Sequence, residues 1–122
     1  MNLVPAISAA FAWGLLKSKI TGATGGSLAV PTLLGDAGEA LLEEAEFRLI
    51  GEGALRWLGA SDRAAGVISS LAFGMFHGGS PLRMADAAAG GFLYSHVNRE
   101  HGFWAAVATH FAHNLGIEVG AR

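Results

Sequence analysis

Three short clusters of groups able to move protons or orient a carbonyl stand in order along an otherwise apolar chain. They are Glu43-Glu44-Ala45-Glu46-Phe47-Arg48, Phe73-Gly74-Met75-Phe76-His77 and His110-Phe111-Ala112-His113-Asn114. A carboxylate beside an imidazole can activate water, and a second imidazole with a carboxamide can hold the charge that develops when water attacks a peptide carbonyl. Ionisable groups are costly in hydrocarbon-rich helices, so their clustering marks a candidate site. A structural reading competes with this one. Glu44 and Arg48 are spaced i,i+4 with the acid first, the preferred order for a helix-surface ion pair, and Glu39 with Glu43 would line a solvated stripe. His77 alone would read as a satisfied core or helix-end histidine, and Phe73, one turn earlier, as a ring packed on it; set beside His110 and Asn114, catalysis is the better reading. His113, His96 and His101 read as solvent-facing or interfacial.

Composition narrows the classes. The chain has 122 residues, room for one domain. It is 52% hydrophobic and only 15% charged, with 18 glycines, a balance that leans toward a membrane, where small residues let helices approach closely. A net charge of −2 and the absence of a Lys/Arg run argue against a nucleic-acid partner. With no cysteine, disulfides, thiolate catalysis and Cys-based zinc sites are excluded. No HExxH, GxSxG or SxxK string is present, so zincin and serine-hydrolase routes have no support.

Charge punctuation divides the chain into five apolar segments and no alternating strand pattern appears, so the expected fold is all-α: a polytopic transmembrane bundle with a four-helix core, about 36–118, behind one N-terminal helix, 1–20. The first sixteen residues lack charge and a basic leader region, which favours a retained helix over a cleaved signal. Residues 21–35, rich in Gly, Thr and Ser, read as a loop or re-entrant connection. The second segment, roughly 36–58, carries Glu39, Glu43, Glu44, Glu46, Arg48, Glu52 and Arg56 and must hide a polar face. Ala64 to Leu82 is the best uncharged run, capped by Ser61-Asp62 and stopped by Gly78-Gly79-Ser80-Pro81, and Asn98 to Gly102 separates the last two helices. Lys17, Lys19, Arg83 and Arg122 on one side against Arg63, Arg99 and an ambiguous Arg56 do not orient the bundle.

If the helices alternate through one slab, Glu43 and His77 lie at the same depth, and His110 and Asn114, four residues apart, share one face of a helix in the same half. The clusters are therefore expected to meet.

Read as EExxxR, FxxxH and HxxxN, and joined by Gly91-Phe92-Leu93-Tyr94, Gly102-Phe103-Trp104 and His110, these stretches resemble the CPBP family, the CAAX-protease, bacteriocin-processing and Abi-like intramembrane proteases. The likeness runs from about Leu42 to Leu115. It implies core helices facing a wet cavity, with Glu43 as the base that polarises water with help from His77. By the same likeness His110 and Asn114 hold the oxyanion, and Glu44 and Arg48 support the site. Two adjacent carboxylates in a low-dielectric cavity with Arg48 beside them would place a base near working pH. Zinc held by Glu43, His77 and His110 is the alternative to a metal-free glutamate mechanism, which is favoured. Leu49-Ile50 follow Arg48 where the family often has glycine, and the single helix ahead of the core is fewer than relatives commonly have, so a partner subunit or oligomer could complete the bundle. The resemblance implies a membrane-anchored or peptide substrate cut near its C-terminus, and residence in the cytoplasmic membrane of a prokaryote. Two other classes stand beside it: a metal-binding bundle without hydrolysis, and a non-catalytic immunity or interaction protein.

Overall fold

The computed structural model describes all residues except Met1, Thr24 and Gly25, so the first residue of the expected N-terminal helix and the middle of the expected loop lie outside the described residues. Its helices are α1 (Leu3–Thr21), α2 (Val30–Glu44), a π-helical turn (Ala45–Gly51), α3 (Glu52–Trp57), α4 (Asp62–His77), α5 (Pro81–His101) and α6 (Phe103–Gly120), and no strand occurs among the described residues. Because α2, the π turn and α3 run on without a break, five rods result.

Local chemistry explains most ends. Asn2, Ser61 and Ser80 accept from the first-turn amides of Val4, Ala64 and Arg83, the usual side-chain caps. Gly22 ends α1 in the left-handed region at φ 63°, and Gly102 breaks α5 from α6 at φ 92°. Three expectations are corrected. The loop to residue 35 ends early, because Ala29 opens a helix with Pro31 in its first turn, where proline's missing N–H costs nothing. Helix α5 runs through Asn98–His101, leaving one glycine as the separator. The Ala64–Leu82 run ends as a helix at His77, and the described helix long and apolar enough to cross a membrane is Leu3–Thr21 instead.

Small residues set the packing. A methyl on Gly14 would overlap the His113 carbonyl, and one on Gly116 the Phe11 carbonyl, so α1 and α6 lie backbone against backbone and parallel. Gly66 faces Ser95 and Arg99, Gly91 faces Ser70, and Gly74 faces Met84 and Ala88, which makes α4 and α5 antiparallel. Helix direction therefore alternates in the core as expected. The interior is unusual: Glu44, Arg48 and Glu52 are fully buried, while Trp57, Phe76 and Leu82 are 80% exposed or more. In water that distribution would be inverted.

Candidate active site

The π turn explains how one rod presents a line of charge. A four-residue spacing overshoots the 3.6-residue α turn, and the wider π turn absorbs the excess, so Glu44, Arg48 and Glu52 stay on one buried face. Arg48 Nε donates to Glu44 Oε2 at 2.8 Å, and its Nη1 donates to Glu52 Oε1 at 3.0 Å and to Ser69 Oγ of α4 at 2.9 Å. Ser69 in turn donates to the Phe47 carbonyl at 3.0 Å. The ladder extends to the surface through Arg56, 3.4 Å from Glu52 and 3.6 Å from Asp62. Each buried charge thus has a partner, the condition for its tolerance.

The other end of Glu44 reaches α6, where its Oε1 accepts from His110 Nδ1 at 2.8 Å. On α4, His77 Nδ1 donates to the Phe73 carbonyl one turn back at 2.8 Å. Both rings are thereby turned so that Nε2 faces Glu43, each 3.8 Å from Glu43 Oε2. The Glu43 side chain is 22% exposed, yet Oε2 itself is buried with no hydrogen-bond donor within reach among the described residues. A separation of 3.8 Å is too long for a direct hydrogen bond and suits a shared water.

Aromatic rings brace the imidazoles. Phe73 lies 4.4 Å from His77 and 5.7 Å from His110, centroid to centroid, and Tyr94 of α5 stacks on His110 at 4.4 Å and 11°. The Tyr94 hydroxyl shares a 2.5 Å hydrogen bond with His113 Nδ1. His113 is consequently buried, not solvent-facing as its sequence position suggested: α1 covers that side of α6. His101 is exposed and His96 intermediate.

A cavity of about 190 Å³ opens beside these groups, lined by His77, His110 and Asn114 together with Lys17, Arg83 and Asp86. A second, mainly apolar cavity of about 350 Å³, lined by Ala10, Trp13, Leu93 and others, shares Gly90, Tyr94 and His113 with it. All six residues singled out from sequence, Glu43, Glu44, Arg48, His77, His110 and Asn114, thus lie at this site or in the network beneath it. Glu39 and Glu46 are exposed. Sequence reasoning missed Glu52, Ser69, Tyr94 and His113. Glu52 was findable, since Glu44, Arg48, Glu52 and Arg56 repeat every four residues; Ser69, Tyr94 and His113 carry no such signal.

Residues 25–116, about three quarters of the chain, match the family described as type II CAAX prenyl endopeptidase Rce1-like. The chain belongs to the Rce1-like family. Rce1-like proteins are membrane-embedded peptidases acting on peptide or prenylated protein substrates, and the match agrees with the CPBP resemblance of the three clusters. Helix α1 precedes the Rce1-like region, which covers α2 through most of α6. No curated protein and no solved structure matches the chain. Glu43, His77 and His110, the donors of the zinc alternative, converge, but among the described residues no three or more His, Asp or Glu side chains form a group that would hold a metal ion.

Proposed function

We propose that this chain is a polytopic intramembrane endopeptidase that cuts a peptide bond near the C-terminus of its substrate with water activated by Glu43. The observation that carries the reading is the buried Glu43 Oε2, without a hydrogen-bond donor among the described residues and faced by two imidazole Nε2 atoms at 3.8 Å. A water there would meet a carboxylate able to take its proton and a His77 nitrogen able to hold its orientation. As Glu43 takes the proton, the hydroxide attacks the carbonyl carbon, and the carbonyl oxygen gains negative charge facing His110 and Asn114. In that role His110 carries protons on both nitrogens, one shared with Glu44 and one given to the oxyanion, while the Asn114 carboxamide supplies a second donor. The proton held by Glu43 then passes to the leaving amine. Glu44, Arg48 and Glu52 keep the imidazole aimed; they do not touch substrate.

The bundle's exposed Trp57, Phe76 and Leu82 support lipid around it. The apolar 350 Å³ cavity beside the site fits an apolar side chain or a prenyl group on the substrate.

The test is cleavage of a fluorogenic prenyl-peptide library by detergent-purified protein, with and without 1,10-phenanthroline. Glu43→Gln should lower kcat/KM by about 10²–10⁴-fold, the range for loss of a general base, with the fold intact by gel filtration. Full activity in Glu43→Gln overturns the reading. Activity that survives the chelator supports the metal-free route, and loss restored by added zinc assigns the water to a metal.

A further inference from the structure

The cavity lined by His77, His110 and Asn114 holds two cations that the chemistry above leaves without a task. Lys17 comes from α1, outside the region shared with the family, and Arg83 from the first turn of α5. Lys17 is matched: its Nζ lies 2.5 Å from Asp86 Oδ2, and Asp86 also accepts from Trp13 Nε1 at 2.9 Å. Arg83 is not. Its backbone N–H is capped by Ser80, and among the described residues its guanidinium has no acidic partner. Its stem crosses bare backbone at Gly79, where a methyl group would stand 2.9 Å from Arg83 Cδ. Among the described residues that line the cavity, Arg83 is thus an exposed cation without an acidic partner.

A guanidinium pairs best with a carboxylate, which it binds through two parallel hydrogen bonds. An enzyme that cuts near a chain end brings one such group with every substrate. Arg83 lines the same cavity as His77, His110 and Asn114, and an extended peptide advances at most about 3.3–3.6 Å per residue, so a short tail cut at the imidazoles carries its terminal carboxylate into the cavity that Arg83 lines.

We propose that Arg83, on the wall shared with the Lys17–Asp86 pair, binds the C-terminal carboxylate of the peptide substrate and so sets the distance from chain end to cut. The assignment rests on the hydrolytic reading for its substrate class, and its test is a binding measurement that does not need turnover. Two fluorescein-labelled, S-farnesylated peptides, identical except for a free carboxylate or an amide at the C-terminus, are titrated against the full chain carrying Glu43→Gln and read by fluorescence anisotropy. The acid should bind about tenfold or more tightly than the amide, as a charge-assisted contact implies. Adding Arg83→Gln should remove that preference, and Arg83→Lys should keep part of it. Equal binding of acid and amide overturns the assignment. So does an Arg83→Gln effect equal on both peptides, the result expected of an arginine that contacts lipid phosphate or only supports the fold. If Arg83→Gln does not purify as folded protein, the acid-to-amide ratio of Arg83→Lys decides. Cleavage of both peptides by the unsubstituted chain is measured in parallel. An Arg83-dependent acid preference without cleavage removes the hydrolytic reading and keeps the carboxylate site; cleavage indifferent to the chain end does the reverse.

Discussion

Arg48 lies between two buried carboxylates and a serine, all closed to bulk solvent. Removing it as Arg48→Met leaves Glu44 and Glu52 without their shared partner, which should cost about 3–5 kcal/mol, read as a lowered midpoint in detergent denaturation. Arg48→Lys should recover only part of this, because an ammonium cannot donate as a fork to both acids. An unchanged midpoint in Arg48→Met would remove the network from any account of stability. Tyr94 divides into two functions that a pair of variants separates. Tyr94→Phe keeps the ring stacked on His110 and strands His113 Nδ1, at about 1–3 kcal/mol, with kcat changed little; Tyr94→Ala removes the stack and should lower kcat as well. The proposed base adds a pH dependence. Glu43 acts only when ionised, so kcat/KM should fall on the acid side of the profile as it takes a proton, and a profile without that limb counts against Glu43 as the base.

Among the elements, the glycine-lined seams decide which faces meet. Gly116 sits where any side chain would strike the Phe11 carbonyl of α1, whereas Gly35 and Gly38 of α2 have nothing within 4 Å of the space a methyl would fill. Gly116→Val should therefore destabilise by about 1–3 kcal/mol or more through forced backbone separation. Gly35→Ala and Gly38→Ala should be neutral or slightly stabilising, since alanine restricts the unfolded chain. Thermal unfolding of the three variants side by side tests the contrast. Because α1 carries Lys17 and covers His113, prying it from α6 should also disturb the site. Much at this scale was legible beforehand: the cap at Ser61 and the stop at Gly78-Gly79-Ser80-Pro81 act over one turn, so sequence alone exposes them. The start of α2 was not, because Gly, Ser and Pro signal a loop and a helix N-terminus in nearly the same letters.

The molecule buries the Glu44–Arg48–Glu52 ladder and exposes large apolar side chains such as Trp57, Phe76 and Trp104. That arrangement is stable where the surroundings are hydrocarbon, since lipid-facing apolar side chains then cost nothing and inward charges pair with one another. The absence of cysteine gives a direct test through single-cysteine variants in native membranes. Phe76→Cys and Trp104→Cys should resist a membrane-impermeant maleimide, whereas Ser27→Cys, an exposed position between α1 and α2, should react once its side of the membrane is accessible. Rapid labelling of all three would contradict the embedding of these faces.

From the letters alone came the helical class, the five segments, the cap at Ser61 and the three clusters, because each rests on composition or on neighbours within a few positions. That the acids and imidazoles would share one depth also followed, since alternating helices of similar length leave few choices. Other features needed the folded chain: which carboxylate oxygen is left bare before two imidazoles, that the π turn keeps Glu52 in line with Arg48, and that α1 buries His113 and brings Lys17 to the wall beside Arg83. These depend on rotations of whole helices about their axes and on contacts between residues far apart in sequence, such as Glu44 with His110. Helix rotation is set by how small residues interlock across the seams, and no local pattern in one segment encodes the shape of its partner.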